Sequence, residues 1–307
     1  MILRDLNRKH SSPASALGPI YLVGPTGAGK SSLACILAQE IGAEIIGADA
    51  FQVYAGLRCL TAQPKPDQTA VVRHHLVGGI PHTQAFDVSE YHRLATAAIS
   101  EVQSRGLVPL VVGGTGLYVK ALIGGLSLTP PADLSLRAIL AEMNLPSLIE
   151  RLGRIDPNAL EIVDLKNRRR VERAIEICET SGQPLSNFRG RELPAARGAL
   201  VNRDRADLHT RIAENVAYMF DAGVVNEVSM ARNAGFTASQ AIGFREICAL
   251  LDGGISQAEC KEKIMVATRQ YARRQLTWFK HQSRFPELNL STNPPLREII
   301  DLVTRAT

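Results

Sequence analysis

The chain has 307 residues, enough for two domains or for one domain with a large insertion. Hydrophobic residues make up 45% and aromatics 5%, ordinary for a globular protein, and no apolar run nears the roughly 18 residues of a membrane span, so no membrane partner is expected. The net charge of +5 leans mildly toward a polyanionic partner, and five scattered cysteines without Cys-x-x-Cys spacing point to a reduced, cytoplasmic protein without a zinc finger.

Residues 1–18 carry Arg4, Arg8 and Lys9 and then a Ser/Pro/Ala stretch, with no apolar signal-peptide core, and read as a flexible extension. The first strand is the β-branched, apolar run Ile20 to Val23. Then comes Gly24-Pro25-Thr26-Gly27-Ala28-Gly29-Lys30-Ser31, which fits the phosphate-binding pattern G-x-x-x-x-G-K-[ST]. Leu33, Ile36, Leu37 and Ile41 follow at helical period and Gly42 ends the helix, so the octet has the strand and helix it needs. Glycines let backbone wrap an anion, and amides at a helix N-terminus attract it. Lys30 adds a charge for the terminal oxygens, and the Ser31 hydroxyl can hold Mg²⁺.

Glu44 to Ala48 is a second strand leading to Asp49. Carboxyl ends of parallel strands form the ligand crevice of an open α/β sheet, so Asp49 belongs near the phosphate loop. There it could bind metal through water, accept a proton, or merely cap a helix. His74-His75 lie in a short strand; adjacent strand residues face opposite ways, which argues against a shared metal. Asp87 starts a helix that runs to about Arg105, and Val108 to Val112 forms a buried strand ending in Gly113-Gly114-Thr115-Gly116. Those glycines would let backbone approach a ligand, and Thr115 offers a hydroxyl. The strand lacks a terminal Walker B acid, and no Asn-Lys-x-Asp guanine-reading motif occurs.

Gly124-Gly125 and Thr129-Pro130-Pro131 mark a boundary, and from Asp133 the pattern is helical. Asp156-Pro157 reads as a helix start with Pro at its first position. A helix over Arg168 to Thr180 opens on Arg168-Arg169-Arg170 and Arg173, either a solvated face balanced by Glu172, Glu176 and Glu179 or a surface for nucleic-acid phosphates. Residues 186–200 look like a mobile connection. Helices follow over Leu208 to Gly223, Val225 to Ala234, Gln240 to Leu251 and Ser256 to Lys280. In the last, Arg269 and Arg273 share a face, while Tyr271 and Trp278 stand at a packing interval.

The blocks Gly24 to Ser31, Asp49 with Gln52-Val53-Tyr54, His74-His75-Leu76, Gly113-Gly114-Thr115-Gly116-Leu117-Tyr118, Ile242-Gly243-Phe244-Arg245-Glu246 and Arg274-Gln275-Leu276-Thr277-Trp278-Phe279, in this order, resemble the tRNA dimethylallyltransferase family, also called IPP transferases. The resemblance implies an α/β fold with a P-loop NTPase-like parallel sheet core flanked by helices (19–126 and 201–307) and an inserted, mostly helical, tRNA-contacting domain (127–200). It implies transfer of a dimethylallyl group from its diphosphate to N6 of adenosine 37 in the anticodon stem-loop, with Mg²⁺ at Ser31 and a monomeric enzyme.

Asp49 is then the base, with Thr26, Lys30 and Arg245 acting on the diphosphate held by Gly24 to Ser31. Asp49, Ala50, Phe51, Gln52, Thr115, Arg137, Asn167, Arg168, Arg169, Arg170, Val171, Arg269 and Arg273 are then the tRNA-binding set. Departures from the family pattern are Ala50 for the usual serine, Gln63 for a lysine and Arg245 for a lysine. Adenylate prenylation and small-molecule phosphorylation stand as alternatives, the second weakened by the missing Walker B acid.

Overall fold

The structure, a computed structural model, describes residues 18–125, 129–130, 133–188 and 194–305. In chain order its elements are β1 (Ile20–Val23), α1 (Lys30–Ile41), β2 (Ala43–Gly47), α2 (Pro66–Val71), β3 (His74–His75), α3 (Val88–Ser104), β4 (Val108–Gly113) and α4 (Gly116–Gly124). Next come α5 (Leu134–Ala141), α6 (Leu145–Ile155), α7 (Ala159–Ile162) and α8 (Arg168–Ser181). The chain continues with β5 (Arg197–Asn202), α9 (Arg205–Asp221), α10 (Val224–Met230), α11 (Phe244–Leu251), α12 (Gln257–Gln282), β6 (Glu287–Asn289) and α13 (Leu296–Thr304). It divides into two compact units, Met1–Ile123 with Leu193–Thr307, and Gly124–Glu192.

The first unit is an α/β layer structure. Among the described residues six strands form one sheet in the order β3-β2-β4-β1-β5-β6, every pair parallel. Parallel strands are buried on both faces, which is why β1, β2 and β4 read as nearly continuous apolar runs. Alternate residues feed two cores. Tyr21, Val23, Ile46, Val111 and Leu200 pack with Tyr91 of α3 and Phe279 of α12. Ile20, Leu22, Ile45, Leu110 and Val201 pack with Leu37 of α1 and Val303 of α13. Because β4 lies between β1 and β2, the chain leaves β1 and β2 on either side of the strand that ends in Gly113. That reversal opens the crevice of a doubly wound sheet.

Several helix ends follow from local chemistry. Asp87 caps α3 by accepting from the amides of Ser89 and Glu90. Ser256 and Glu259 close a reciprocal capping box on α12. Elsewhere the structure departs from expectation. The stretch 186–200, expected to be a mobile connection, contains the start of β5, so the chain rejoins the sheet at Arg197. A run as short as Ala199-Leu200-Val201 becomes a strand only when β1 supplies its partner. Strand β6 and helices α2 and α13 were likewise not expected. The helix expected from Asp156 is the single turn α7, because Asp156 ends α6 and its buried carboxylate accepts from the amide of Leu185 at 2.8 Å. Of the extension expected over residues 1–18, residues 1–17 lie outside the described residues, as do residues 189–193 of the expected connection.

The second unit packs α5, α6 and α8 around Leu140, Leu148, Leu152, Val171 and Ile175. Besides Asp156 it buries Glu176, whose carboxylate accepts from Arg137 Nε at 2.9 Å, Arg173 at 2.5 Å and the Asp133 amide at 2.8 Å. Burial opposes the charge, yet these donors prevail and hold the carboxyl below its ordinary range. A lowered carboxyl pKa contributes stability that is present above the unfolded value and lost as pH falls through the folded one. Glu176→Gln is therefore expected to cost about 3 kcal/mol in urea unfolding at pH 7. The gap between variant and native chain should narrow as pH falls below about 4.

Candidate active site

The phosphate loop joins β1 to α1. Gly24, Gly27 and Gly29 adopt φ values of 143°, 81° and 92°. A Cβ on Gly24 would sit 2.1 Å from the carbonyl oxygen of Val201, so only glycine fits between β1 and β5 at that point. Helix α1 has no side-chain cap and no acid in its first turn. Its leading amides and positive dipole end therefore face whatever occupies the loop. Lys30 is the first residue of α1, and its Nζ donates to the Pro25 carbonyl at 2.7 Å. Burial lowers its pKa to about 8, against the pull of Asp49.

Two arginines approach the loop from β5 and α9. Arg203 Nε donates to the Ala28 carbonyl at 2.9 Å, and Arg211 Nε to the Gly27 carbonyl at 3.2 Å. Both guanidinium groups lie within 3.6 Å of where a Gly29 Cβ would be. Sequence reasoning missed both. Their only signal was that Arg211 neighbours the buried Ile212 on a helix whose partner was unknown.

Asp49 leaves the end of β2. Its Oδ1 accepts from the amides of Phe51 at 3.0 Å and Gln52 at 3.3 Å, so the carboxylate is held by its own turn. The neighbouring β4 exit is fastened to it twice: the Thr115 amide donates to the Ala48 carbonyl at 3.1 Å, and the Ala50 amide donates to Thr115 Oγ1 at 2.9 Å. The hydroxyl of Thr115 thus braces Asp49, and Tyr271 of α12 reaches the same hydroxyl. The tight approach at Gly113 and Gly114 is to protein rather than to a ligand. A Cβ would meet the Ala48 carbonyl oxygen at 2.1 Å in the first case and the Gln275 amide nitrogen at 2.1 Å in the second.

Buried Gln275, from α12, joins the two loops. It accepts from the Thr26 amide through Oε1 at 2.8 Å and donates to the Gly114 carbonyl through Nε2 at 2.9 Å. Trp278, one turn on, covers Gly116, where its ring leaves no room for a Cβ. Trp278 therefore packs as expected, while Tyr271 lines the cavity.

These elements enclose a cavity of about 640 Å³ at the carboxyl edge of the sheet. Thr26, Lys30, Ser31, Asp49 and Gln52 are among its polar lining residues, and Phe51, Ile212, Val216, Met219, Ile242 and Ile264 among its apolar ones. Of the expected site residues, the loop and Asp49 converge here, with Ala50 and Thr115 bracing the wall. Arg245 does not. After Gly243, helix α11 buries Phe244 and Ile247, which turns Arg245 outward, where it donates to Gln240 at 2.8 Å.

The structure places the other expected residues as follows. Val171 is fully buried in the core of the second unit and presents no surface to RNA. Asn167 is the cap of α8, accepting from the Arg170 amide. Arg137 is committed to Glu176, and Arg168 to Glu172 and the carbonyls of Leu140, Ala141 and Met143. Exposed Arg170 has only a loose 3.9 Å contact with Asp164, and Arg169 precedes it on the same turn. Arg269 and Arg273 lie on α12 beside α9.

The histidines part as the strand geometry required. His75 bonds Glu44 at 2.6 Å, while His74 accompanies the cavity wall. Among the described residues no cluster of three His, Cys, Asp or Glu side chains could hold a metal. The Ser31 hydroxyl and Asp49 carboxylate are hard oxygen donors on one cavity, and Mg²⁺ commonly takes one or two protein ligands with phosphate oxygens and waters. The residues present therefore fit Mg²⁺. No helix among the described residues is long and apolar enough to cross a membrane.

The family model for IPP transferases matches residues 52–282. The chain is 38% identical over 286 residues to the tRNA dimethylallyltransferase of Akkermansia muciniphila, covering 92% of this chain and 97% of that one. It is 42% identical over 276 residues to that of Geobacter sulfurreducens, covering 85% and 88%. Among solved structures, the full-length tRNA isopentenylpyrophosphate transferase of Bacillus halodurans is similar at 32% identity and a TM-score of 0.67, with 92% and 93% covered. A eukaryotic dimethylallyltransferase acting on tRNA shares the fold at a TM-score of 0.80 and 24% identity, with 92% and 78% covered.

Two outcomes follow from this geometry. Because burial depresses Lys30, an anion beside it should raise that pKa, and inorganic diphosphate should bind with net proton uptake near pH 8.5–9, within about one unit of Lys30's own value. Calorimetry in buffers of different ionisation enthalpy reads this, and Lys30→Met should abolish the uptake. Gln275→Leu strands the Thr26 amide and the Gly114 carbonyl, and should lower stability by about 2 kcal/mol or more in chemical unfolding.

Proposed function

The chain belongs to the IPP transferase family, and on that premise we propose how its cavity carries out dimethylallyl transfer to tRNA. The acceptor is N6 of adenosine 37 in the anticodon loop, and the donor is dimethylallyl diphosphate. The observation that carries this reading is that one cavity is lined both by the phosphate loop and by a fixed, half-buried carboxylate, Asp49, whose charge acts on Lys30.

The exocyclic amine is a poor nucleophile because its lone pair is delocalised into the ring. As the N6–carbon bond forms and the carbon–oxygen bond to diphosphate breaks, the amine must lose a proton. Asp49 is suited to take it: Oδ1 is occupied by two backbone amides, and Oδ2 has no protein partner among the described residues. Charge on the departing diphosphate is met by the loop amides, Thr26, Lys30 and the neighbouring Arg203 and Arg211. Mg²⁺, held by Ser31, would supply further neutralisation when bound. The apolar side formed by Val216, Met219 and Ile264 suits the hydrocarbon tail.

An adenosine in a loop costs less to extrude than one in a duplex, which fits a buried base acceptor. In the helical unit, the exposed start of α8 with Arg169 and Arg170 is the surface that we assign to backbone phosphates.

The test is a mass-spectrometric transfer assay with dimethylallyl diphosphate, Mg²⁺ and a synthetic anticodon stem-loop. Asp49→Ala is expected to lower kcat by about 10²–10⁴-fold at unchanged RNA affinity. Transfer to AMP but not to the stem-loop would move the reading to free adenylate as acceptor.

A further inference from the structure

Leu60 lines the cavity together with Val216, Met219 and Ile264, the residues that suit the hydrocarbon tail. All four are buried. Val216 and Met219 stand three apart on α9 and share a face. A Cβ on Gly243 would meet Leu60 Cδ1 at 3.1 Å and Ile264 Cδ1 at 3.2 Å, so the tips of those two side chains adjoin over a residue with no side chain of its own.

Leu60 differs from the other three in how its backbone is held. It lies in a turn outside the helices, and Glu227 of α10 fastens that turn: one carboxylate oxygen accepts from the Cys59 amide and the other from the Leu60 amide, both at 2.8 Å. The turn is closed further by the Thr61 amide on the Leu57 carbonyl and the Gln63 amide on the Arg58 carbonyl, each at 3.1 Å, and by Gln63 Nε2 on the Tyr54 carbonyl at 2.8 Å. Ala62 sits at φ 50°, a left-handed conformation that a residue with a Cβ keeps only where its surroundings fix it. Moving Leu60 aside therefore means breaking two charge-assisted bonds. Glu227 is not among the residues that line the cavity, so it acts there only through the turn.

We infer that Leu60 determines the length of prenyl donor that the cavity accepts, stopping it after one isoprene unit, and that Glu227 is the positioning residue that keeps the stop in place. This rests on the reading of dimethylallyl diphosphate as donor. The phosphate loop cannot measure the tail, because every prenyl donor carries the same diphosphate. Discrimination must come from the apolar lining, and a pocket rejects a longer ligand only if its wall does not yield. A leucine on a loose loop would swing away and admit five more carbons; one fixed by a carboxylate on two successive amides makes them clash.

The test compares dimethylallyl and geranyl diphosphates as donors to a synthetic anticodon stem-loop, with kcat/KM for each read by mass spectrometry. The native chain is expected to favour the shorter donor by about 10²-fold or more, and Leu60→Ala to cut that ratio about 10-fold or more through better use of the longer one. Leu60→Met keeps the volume and should keep the preference. Glu227→Gln turns an amide –NH₂ toward one of the two backbone N–H groups, and should relax the ratio in the same direction although no lining side chain is changed. Leu60→Val gives the same readout if the alanine variant does not fold. Calorimetry with the two thiolodiphosphates, which carry the same tails but resist transfer, reads the discrimination in binding alone. A donor ratio and a binding preference unmoved in the folded Leu60 variants overturn the inference, even if the native chain transfers the dimethylallyl group. No transfer by the native chain, with a preference for the shorter thiolodiphosphate that Leu60→Ala relaxes, overturns the proposed reaction and leaves the tail stop standing.

Discussion

The side-chain amide of Gln275 holds the active-site edge of the sheet together. Its oxygen takes the Thr26 amide and its nitrogen the Gly114 carbonyl, so one residue near the end of the chain ties the exit of β1 to the exit of β4. Everything around it is shaped for that contact. Gly114 has no Cβ because the Gln275 nitrogen occupies the space, and Gly113 has none because the Ala48 carbonyl does. Through Thr115 and Ala48 the same junction reaches the turn that fixes Asp49. Asp49 and the phosphate loop are thus parts of one hydrogen-bonded frame, and a reaction that depends on distance between acceptor and leaving group needs such rigidity.

The charge distribution is organised on that frame. Lys30, Arg203 and Arg211 crowd the loop; Arg203 pairs with Asp207, and the charge of Asp49 acts on Lys30. Lys30 donates to the Pro25 carbonyl, and burial lowers its pKa to about 8 against the pull of Asp49. An anion in the loop would stabilise the charged form of Lys30. In the second unit the opposite logic holds. Arg137, Arg168 and Arg173 are consumed by Glu176, Glu172 and helix-end carbonyls, where they stabilise the helical packing. A run of arginines in sequence is thus divided by the helix into structural and exposed members, according to which face each one occupies.

The sequence by itself determined the phosphate loop, the parallel α/β core, Asp49 at the end of the second strand and the long capped helix at the end, because these depend on local periodicity, glycine conformation and spacing. The block Arg-Gln-x-Thr-Trp-Phe was legible as a signature but not as a mechanism. That Gln275 bridges two loops more than a hundred residues away in sequence is visible only when α12 lies across them. Tertiary structure alone also decided which cations reach the phosphate loop. Arg245 has the residue type and a motif around it, yet the burial of Phe244 and Ile247 turns it to the outside. Arg203 and Arg211 have no motif, yet β5 pairs with β1 and brings them to the loop. Charge type is written in the sequence; the direction in which a charge points is set by which neighbours the helix that carries it must bury.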